Sequence, residues 1–305
     1  IICTLNILMK KKLISIIINC YNGEKYLLKT LKSIINQKYN NYEVIFVDNC
    51  STDSSAKIYK KIKDKRFKYF KTKKKIKLYN GRNFALNKCK GHFITFLDTD
   101  DWWNPNFLIS RSRFFNSPSE YGFCFSNCYH YFENKKKYKF FTKEKLPSGF
   151  ILNNLLKFYF VKLGTIIIKR KIISFIKFNS NYNIIGDYDF VIRASKKYKA
   201  MSFQDALVNI RIHDNNFSHT NRKMFYLEFK EWLKNQNFDE IYFKKNKFIL
   251  FQKLEYLRLV YLLIHNKKIN LIYDILKIKS ILPKLKLLII YFLPNFIIKF
   301  KQKYF

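Results

Sequence analysis

The chain has 305 residues, 48% of them hydrophobic, and it carries a formal net charge of +38. That apolar content allows a sizeable buried core and argues against wholesale disorder. The lysines are scattered in short runs, and no helix-turn-helix, zinc-finger or base-stacking pattern accompanies them, so we expect no nucleic-acid partner. The charge favours an acidic membrane surface or phosphorylated substrates.

The first hundred residues alternate between apolar, β-branched runs and segments in which apolar residues recur at helical spacing. Such alternation predicts a layered α/β domain with a mostly parallel central sheet. The predicted strands are 13–19, 43–48, 67–71 and 93–98, and the predicted helices are 24–37, one starting at Asp53 or Ser54, and 82–90.

Beyond residue 101 the alternation is less regular. We divide the chain into an N-terminal extension (1–12), an α/β domain (13–221) and a lysine-rich helical C-terminal region (222–305). Met9 precedes a lysine run, which is consistent with residues 1–8 being a start artefact. The later predicted elements are a helix after Pro105, a strand at 121–132, a helix at 147–160, a strand at 165–170, a helix at 187–198 and a last strand within 200–212.

The cysteines do not form a zinc pattern. Cys124 and Cys128 lie close to His130, but no second pair of ligands follows them. We therefore expect reduced thiols in a reducing compartment.

The end of the chain has an apolar block from Leu285 to Ile298, interrupted by Lys286 and Pro294. The block is shorter than the roughly 20 apolar residues that a spanning helix needs. Basic residues beside bulky apolar ones suit a helix that lies in the membrane interface. A helix packed on the domain explains the pattern equally well, and the sequence leaves both alternatives open.

The segment FITFLDTDD (93–101) has the clearest chemical pattern of the chain. Its apolar part predicts a strand buried on both faces, and Asp98, Asp100 and Asp101 follow at the carboxyl end of that strand, where open α/β sheets bind ligands. Clustered carboxylates repel one another unless a divalent cation such as Mg²⁺ joins them. Capping of the next helix explains one of these aspartates but not three.

Two further polar clusters follow the first two predicted strands. Tyr21, Asn22 and Glu24 come after the first strand, where an aromatic ring can stack on a nucleobase or simply close the turn. Asp48 and Asn49 come after the second strand and can hydrogen-bond a base edge or a ribose. Both clusters are candidates for binding a nucleotide at one edge of the sheet.

The remaining candidates are spread along the chain. Arg82 opens the helix before the acidic strand and can neutralise phosphate charge. The indole rings of Trp102 and Trp103, just after the acids, can stack on a sugar face or pack in the core. Asp187 and Asp189 lie at the start of a predicted helix, where acids are also explained by capping and dipole stabilisation. These candidates are Trp102, Trp103, Asp187, Asp189, Arg193 and His213.

Together these segments resemble glycosyltransferase family 2, whose members are inverting enzymes with the GT-A fold. The resemblance covers about residues 13–220. The matching segments are NCYNGEKYL (19–27), VDNCSTD (47–53), GRN (81–83), GHFITFLDTDD (91–101), GDYDFVIR (186–193) and RIHDNN (211–216). The chain departs from the family pattern at Asn19, Asn49 and Gly186, which replace Pro, Asp and Glu.

The resemblance implies roles for individual residues. Tyr21 would stack on the base, and Asp48 and Asn49 would bind base or ribose. Asp98 would face the ribose or sugar and Asp100 would hold Mg²⁺ or Mn²⁺ on the diphosphate. The other implied roles are a general base, Asp187, and a metal or diphosphate contact, His213.

The implied function is metal-dependent sugar transfer, with inversion, from a nucleotide-sugar donor to a hydroxyl of a glycan or lipid-linked acceptor. We expect polysaccharide or lipopolysaccharide-type synthesis by a cytoplasmic enzyme, peripheral on the inner membrane where that surface is anionic. One alternative is a nucleotidyltransferase with a D-x-D metal site, which predicts a glycine-rich loop, and NCYNGEKYL has one glycine. The other is a non-catalytic basic membrane-surface protein, which leaves the ordered acids unexplained.

Overall fold

The computed structural model describes residues 12–265 and 270–293. The predicted N-terminal extension up to residue 11 and the apolar block after residue 293 lie outside the described residues. The strands are β1 Ile14–Cys20, β2 Tyr42–Asp48, β3 Phe67–Lys71, β4 Phe93–Phe96, β5 Trp102–Trp103, β6 Tyr121–Ser126, β7 Tyr129–Phe132, β8 Lys137–Phe140, β9 Ile167–Lys169, β10 Lys199–Phe203 and β11 Val208–Ile212.

The helices alternate with these strands in the first half of the chain and dominate its end. They are α1 Glu24–Ile35, α2 Ser55–Lys60, α3 Leu78–Leu86, α4 Ser112–Phe115, α5 Leu152–Lys157, α6 Arg170–Ile173, α7 Gly186–Ser195, α8 Phe217–Thr220, α9 Arg222–Lys234, α10 Ile241–Ile264, α11 Leu271–Leu276 and α12 Ile281–Phe292.

A seven-stranded sheet in the order β10-β6-β9-β4-β1-β2-β3 forms the centre of the molecule. β9 runs antiparallel to both of its neighbours, and the other pairs are parallel. A smaller sheet, β5-β11-β7-β8, lies beside it. The predicted mostly parallel α/β architecture is therefore confirmed.

Several predicted boundaries are wrong. The helix expected at 82–90 is α3, which begins at Leu78 and therefore contains Gly81. A Cβ at Gly81 would lie 2.5 Å from the side-chain amide nitrogen of Asn19, so glycine permits close packing of α3 on β1. Short helices replace the longer ones predicted after Pro105 and at 147–160.

The strand predicted at 121–132 is two strands that belong to different sheets. The chain leaves the large sheet at Asn127, whose side-chain amide donates to the Thr142 carbonyl at 2.7 Å and accepts from the Cys128 N–H at 2.9 Å. The segment 200–212 likewise forms two strands, β10 and β11. The five cysteines of the described residues are free thiols.

The C-terminal helices fall into two packing groups. α9 and much of α10 share the main core, where the Trp232 ring lies 4.9 Å from the Tyr188 ring of α7. The end of α10, α11 and α12 form a separate apolar cluster. The composition therefore changes near residue 222, whereas the packing changes within α10.

Candidate active site

The carboxyl ends of β1, β2 and β4 lie together at one edge of the large sheet. Cys20 pairs with Asp48 in the parallel register, and Ile17 pairs with Phe96 at the end of β4. The loops that follow these three strands carry most of the candidate residues. The sheet therefore gathers segments that are separated by up to 80 residues in sequence, as open α/β sheets do at their ligand sites.

The loops after β1 and β2 are joined by reciprocal hydrogen bonds. Asn22, in the left-handed region at φ 51°, accepts the Thr52 N–H at 2.8 Å. Glu24 accepts the Ser54 N–H at 2.8 Å, while Asp53 accepts the Glu24 N–H at 2.9 Å. Asn22 and Glu24, which we predicted to bind the donor, thus hold the two loops together.

Asp48 and Asn49 are buried and already bonded within the chain. One carboxylate oxygen of Asp48 accepts the Ser51 N–H at 2.8 Å and the other accepts the Tyr69 hydroxyl at 2.5 Å. Asn49 bonds both backbone groups of Ile76, at 2.7 and 2.9 Å. These contacts fix the loop after β3 beside the end of β2.

Tyr21 is the exposed aromatic residue of this edge, with 43% of its surface accessible. The Lys75 ammonium lies 3.7 Å from its ring centroid. A nucleobase that stacks on the ring would therefore meet a positive charge as well as a flat apolar face.

The three aspartates after β4 have different surroundings. Asp98 accepts from the buried Arg82 guanidinium at 2.7 Å. Asp101 is buried and accepts the Arg211 N–H at 2.8 Å, which joins the loop to β11. Burial raises the pKa of Asp101 well above its ordinary value, and the charges of Asp100 and Asp98 add to that effect. Asp101 therefore stabilises the fold, whereas Asp98 and Asp100 are the aspartates that can bind a ligand.

His213, at the end of β11, faces Asp100. Its Nε2 lies 3.0 Å from the Asp100 carboxylate, and Asn216 donates to the same oxygen at 3.5 Å. The Asn215 N–H donates to Nδ1 at 3.2 Å, which assigns the proton of the neutral ring to Nε2. In this tautomer His213 donates to Asp100, and the same N–H suits a phosphate oxygen. Direct metal ligation requires the other tautomer.

The carboxylates at this edge suit a cation that takes its remaining ligands from a phosphate group. No group of three or more His, Cys, Asp or Glu side chains surrounds a metal position in the described residues. Mg²⁺ commonly takes one or two carboxylates and completes its shell with phosphate oxygens and water. The partly exposed carboxylate of Asp100, with Asp98 two residues before it, fits that requirement.

Asp187 lies in the first turn of α7, close enough to Arg82 for the two charges to interact. Its carboxylate accepts the Tyr188 N–H at 2.8 Å, and its own N–H donates to the Tyr79 hydroxyl at 3.1 Å. Burial raises the pKa of the Asp187 carboxyl above its ordinary value, while the positive charges of Arg82 and Lys162 oppose that rise. A carboxylate with a raised pKa is a better proton acceptor near neutral pH.

Gly186 permits this arrangement. A Cβ at this position would lie 2.5 Å from carbons of the Tyr79 ring. The family's glutamate therefore has no room here, and Tyr79, which positions Asp187, takes up the space.

Two functional neighbours escaped the sequence reasoning. Glu228 of α9 accepts three backbone N–H groups immediately before α7, from Asn183, Ile184 and Ile185, at 2.7, 2.9 and 3.2 Å. Lys162 lies close enough to Asp187 for the two charges to interact. A lone lysine inside the apolar segment 158–164 was the only sequence signal for Lys162; Glu228 had none.

The burial of both tryptophans favours core packing over the sugar contact that the sequence left open. Trp103 is buried, and its indole N–H donates to the Gly164 carbonyl at 2.9 Å, so the core-packing alternative applies. Trp102 is also buried, with the Lys29 ammonium 3.3 Å from its ring centroid and the Arg211 guanidinium 4.9 Å away. Burial leaves little of either ring accessible to a sugar.

Asp189 and Arg193 are paired with each other at 2.7 Å along α7. Asp189 is buried and lies about 200° around the helix from Asp187, because successive residues advance by about 100°. It therefore faces the core, and the proposed acceptor contact of this pair is not supported.

Comparison with known proteins decides the family. The model of glycosyl transferase family 2 matches residues 15–173, which is more than half of the chain. The chain belongs to glycosyltransferase family 2. The protein is thus a glycosyltransferase, and the nucleotidyltransferase and non-catalytic alternatives are set aside.

Individual relatives are similar over different lengths. An uncharacterized glycosyltransferase of Methanocaldococcus jannaschii is 29% identical over 248 residues, covering 78% of this chain and 86% of the relative. The Escherichia coli UDP-Glc:α-D-GlcNAc-diphosphoundecaprenol β-1,3-glucosyltransferase WfaP is 36% identical over 118 residues, covering 39% of this chain and 47% of the relative. The chain therefore matches less than half of WfaP.

Solved structures show the same fold. A mannosyltransferase of Pyrobaculum calidifontis, determined with GDP-Man and Mn²⁺, superposes with a TM-score of 0.59 at 15% identity and covers 82% of this chain and 72% of its own. The expected GT-A fold with a helical C-terminal region is confirmed.

Proposed function

We propose that this glycosyltransferase transfers a sugar, with inversion, from a nucleoside-diphosphate sugar to a hydroxyl group of an envelope glycan precursor. The observation that carries the proposal is the placement of Asp187, a half-buried carboxylate that lies close enough to Arg82 and Asp98 for the charges to interact, near the edge where Asp98 and Asp100 follow β4. One side of the site thus suits a leaving diphosphate, and the other suits a proton acceptor.

The donor lies along the ends of β1, β2 and β4 in this proposal. Tyr21 offers a stacking face for the base, and the Asp48 and Asn49 loop shapes its edge. Asp100 would hold a divalent cation, with Asp98 beside it, and a bound cation offsets the negative charge of the diphosphate. His213 donates to the same region through Nε2.

Asp187 accepts the proton of the attacking hydroxyl. General-base catalysis of this kind contributes about 10²–10⁴-fold to the rate. Arg82 is ion-paired with Asp98, and its positive charge also opposes the rise in the pKa of Asp187 that burial causes, which favours the ionised form that can accept a proton. A single displacement from the face opposite the diphosphate gives inversion.

The nature of the substrates rests on relatives. WfaP is named for a UDP-Glc donor and a diphosphoundecaprenol-linked acceptor, and the archaeal structure contains GDP-Man. We therefore propose a UDP- or GDP-sugar donor and a lipid-linked acceptor for this chain.

We further propose that the enzyme works on the cytoplasmic face of an anionic membrane. α12 buries Leu287 and Ile290, yet it exposes a stripe of large apolar residues on its outer side. Packing of this helix on the rest of the chain is therefore compatible with its lying in the membrane interface. No described helix is both long and apolar enough to cross a bilayer. The exposed stripe consists of Leu282, Leu285, Ile289 and Phe292.

A titration of the full-length protein with a panel of UDP- and GDP-sugars tests the proposal. We expect one donor to bind with Mn²⁺ or Mg²⁺ and to bind much more weakly after chelation of the cation. Binding that is equal with and without the cation contradicts the metal assignment, and no binding of any nucleotide-sugar contradicts the proposed function.

A further inference from the structure

Lys162 is part of a group of basic side chains, two lysines and two histidines, on the Asp187 side of the active site. His130, His219 and Lys253 each lie close enough to Lys162 for their charges to interact. These residues come from β7, α8 and α10 and from the segment before β9, so four parts of the chain converge here. We call the two lysines, Lys162 and Lys253, the cationic cluster; His130 and His219 lie beside them.

The two lysines of the cluster have no acidic partner. No carboxylate of the described residues lies within ion-pair distance of either ammonium group. The Lys162 ammonium instead lies 4.7 Å from the Phe141 ring centroid, and Lys253 lies 4.6 and 4.8 Å from those of Tyr188 and Phe229. Aromatic faces offset only part of the cost of removing an ammonium group from water.

The desolvation of these groups is substantial. Burial lowers the pKa of Lys253 to about 8 and also lowers the pKa of Lys162, which the neighbouring charges of Cys128 and Asp187 oppose. Burial lowers the pKa of His219 to about 4, so this ring is neutral at physiological pH.

Neutral polar atoms beside the cluster also lack partners. The Tyr188 hydroxyl and His219 Nδ1 are buried without a hydrogen bond in the described residues. Tyr188 itself is 5% exposed. Buried polar groups are nearly always satisfied, so a concentration of unsatisfied ones next to two unpaired ammonium groups calls for an explanation.

We propose that the cationic cluster binds a phosphate group of the acceptor substrate. The inference rests on the proposed function, because it takes Asp187 as the group that meets the acceptor hydroxyl. Lys162 lies near Asp187, whereas the acids expected at the donor diphosphate, Asp98 and Asp100, are bonded to Arg82 and His213. An anion between Lys162 and Lys253 would pair both ammonium groups at once.

The competing explanation is that the lysines serve only to stabilise packing on the aromatic rings. The two explanations predict opposite effects on stability. An ammonium group that is half-buried without an acidic partner opposes folding, so its replacement by methionine should leave the melting temperature unchanged or raise it. A lysine kept for packing should lower the melting temperature when it is replaced.

Titration of the full-length protein with inorganic phosphate, followed by calorimetry, tests the proposal. The protein is first saturated with UDP or GDP, whichever binds, and Mg²⁺, so that the donor diphosphate position is filled. We expect phosphate still to bind, and to bind about tenfold more weakly to Lys162→Met and to Lys253→Met, as loss of a charge-assisted hydrogen bond predicts.

Matched variants complete the test. Lys223→Met removes one exposed lysine of α9 and should bind phosphate as the native protein does, while Lys162→Arg and Lys253→Arg keep the charge and should retain most of the affinity. Nucleotide affinity should be the same in native protein and in Lys162→Met.

Four results overturn the proposal: no phosphate binding, competition between phosphate and the nucleotide, a similar loss of nucleotide affinity in Lys162→Met, or unfolding of both methionine variants. Competition would assign the cluster to the donor diphosphate. If no nucleotide binds, the proposed function fails separately, and phosphate titration of the nucleotide-free protein still tests the cluster.

Discussion

Glu228 should position the catalytic helix although it touches no substrate. Its carboxylate accepts three backbone N–H groups immediately before α7, two of them through the same oxygen. In Glu228→Gln an NH₂ group replaces one oxygen, so at least one buried N–H loses its acceptor. The negative charge near the positive end of the helix dipole is lost as well.

The magnitude follows from these contacts. A hydrogen bond to a charged group contributes about 1.5–3 kcal/mol, and a charge at a helix terminus contributes about 0.3–1 kcal/mol. We therefore expect Glu228→Gln to lower the free energy of unfolding by about 2–4 kcal/mol. A displacement of Asp187 by about 1 Å would reduce turnover by about 10²-fold.

Denaturant unfolding and steady-state kinetics with a nucleotide-sugar donor measure the two effects. Donor affinity should not change, because the donor residues lie on the loops after β1, β2 and β4. Glu231→Gln is the matched control, since Glu231 is exposed on the same helix and its carboxylate accepts from the Asn235 side chain. If Glu228→Gln unfolds and turns over like Glu231→Gln, the positioning role is refuted.

Three further predictions follow from the site and the surface. Asp100→Ala should remove cation-dependent donor binding while the unfolding midpoint stays unchanged, and normal titration with Mn²⁺ would contradict the metal assignment. Because the raised pKa of Asp187 favours its protonated form, turnover should fall on acidification at a higher pH than for an ordinary aspartate. Lys162→Met should move this acidic limb of the pH–rate profile to a still higher pH, since Lys162 opposes the rise in that pKa. An acidic limb that stays in place or moves to lower pH would contradict this prediction. Replacing the exposed Leu282 and Phe292 by glutamate should reduce co-sedimentation with acidic vesicles, an effect that added salt should mimic, whereas equal sedimentation would move membrane attachment elsewhere.

The sequence predicted the α/β core well because its signals are local. β1, β2 and β4 are continuous apolar runs, and such runs mark strands that are buried on both faces. The candidate residues at their carboxyl ends follow from the geometry of parallel sheets. The three loops therefore converge as expected.

The errors arose where tertiary contacts override local pattern. Gly81 looked like a residue before a helix, yet close packing against Asn19 places it inside α3. Asn127 divides an apparently continuous strand through bonds to the Thr142 and Cys128 backbone. No local signal could reveal that Glu228, some 40 residues after Asp187, caps the catalytic helix.

The site assignments divide in the same way. A motif indicates which residues lie at the sheet edge, but it does not tell which side chains bond within the chain. Asn22 and Glu24 join two loops, and Trp103 lies in the core, although all three stand in or beside family motifs. Burial and partners had to come from the structure.

The Asp187→Asn variant tests the central claim most directly. Asparagine keeps the shape of the side chain and removes its capacity to accept a proton. Donor affinity and single-turnover sugar transfer are measured for the variant and the native protein with the same nucleotide-sugar and Mn²⁺. We predict unchanged donor affinity and a loss of transfer of about 10²–10⁴-fold, the contribution expected of a general base. Equal transfer by the two proteins would contradict the assignment of Asp187 and the mechanism built on it.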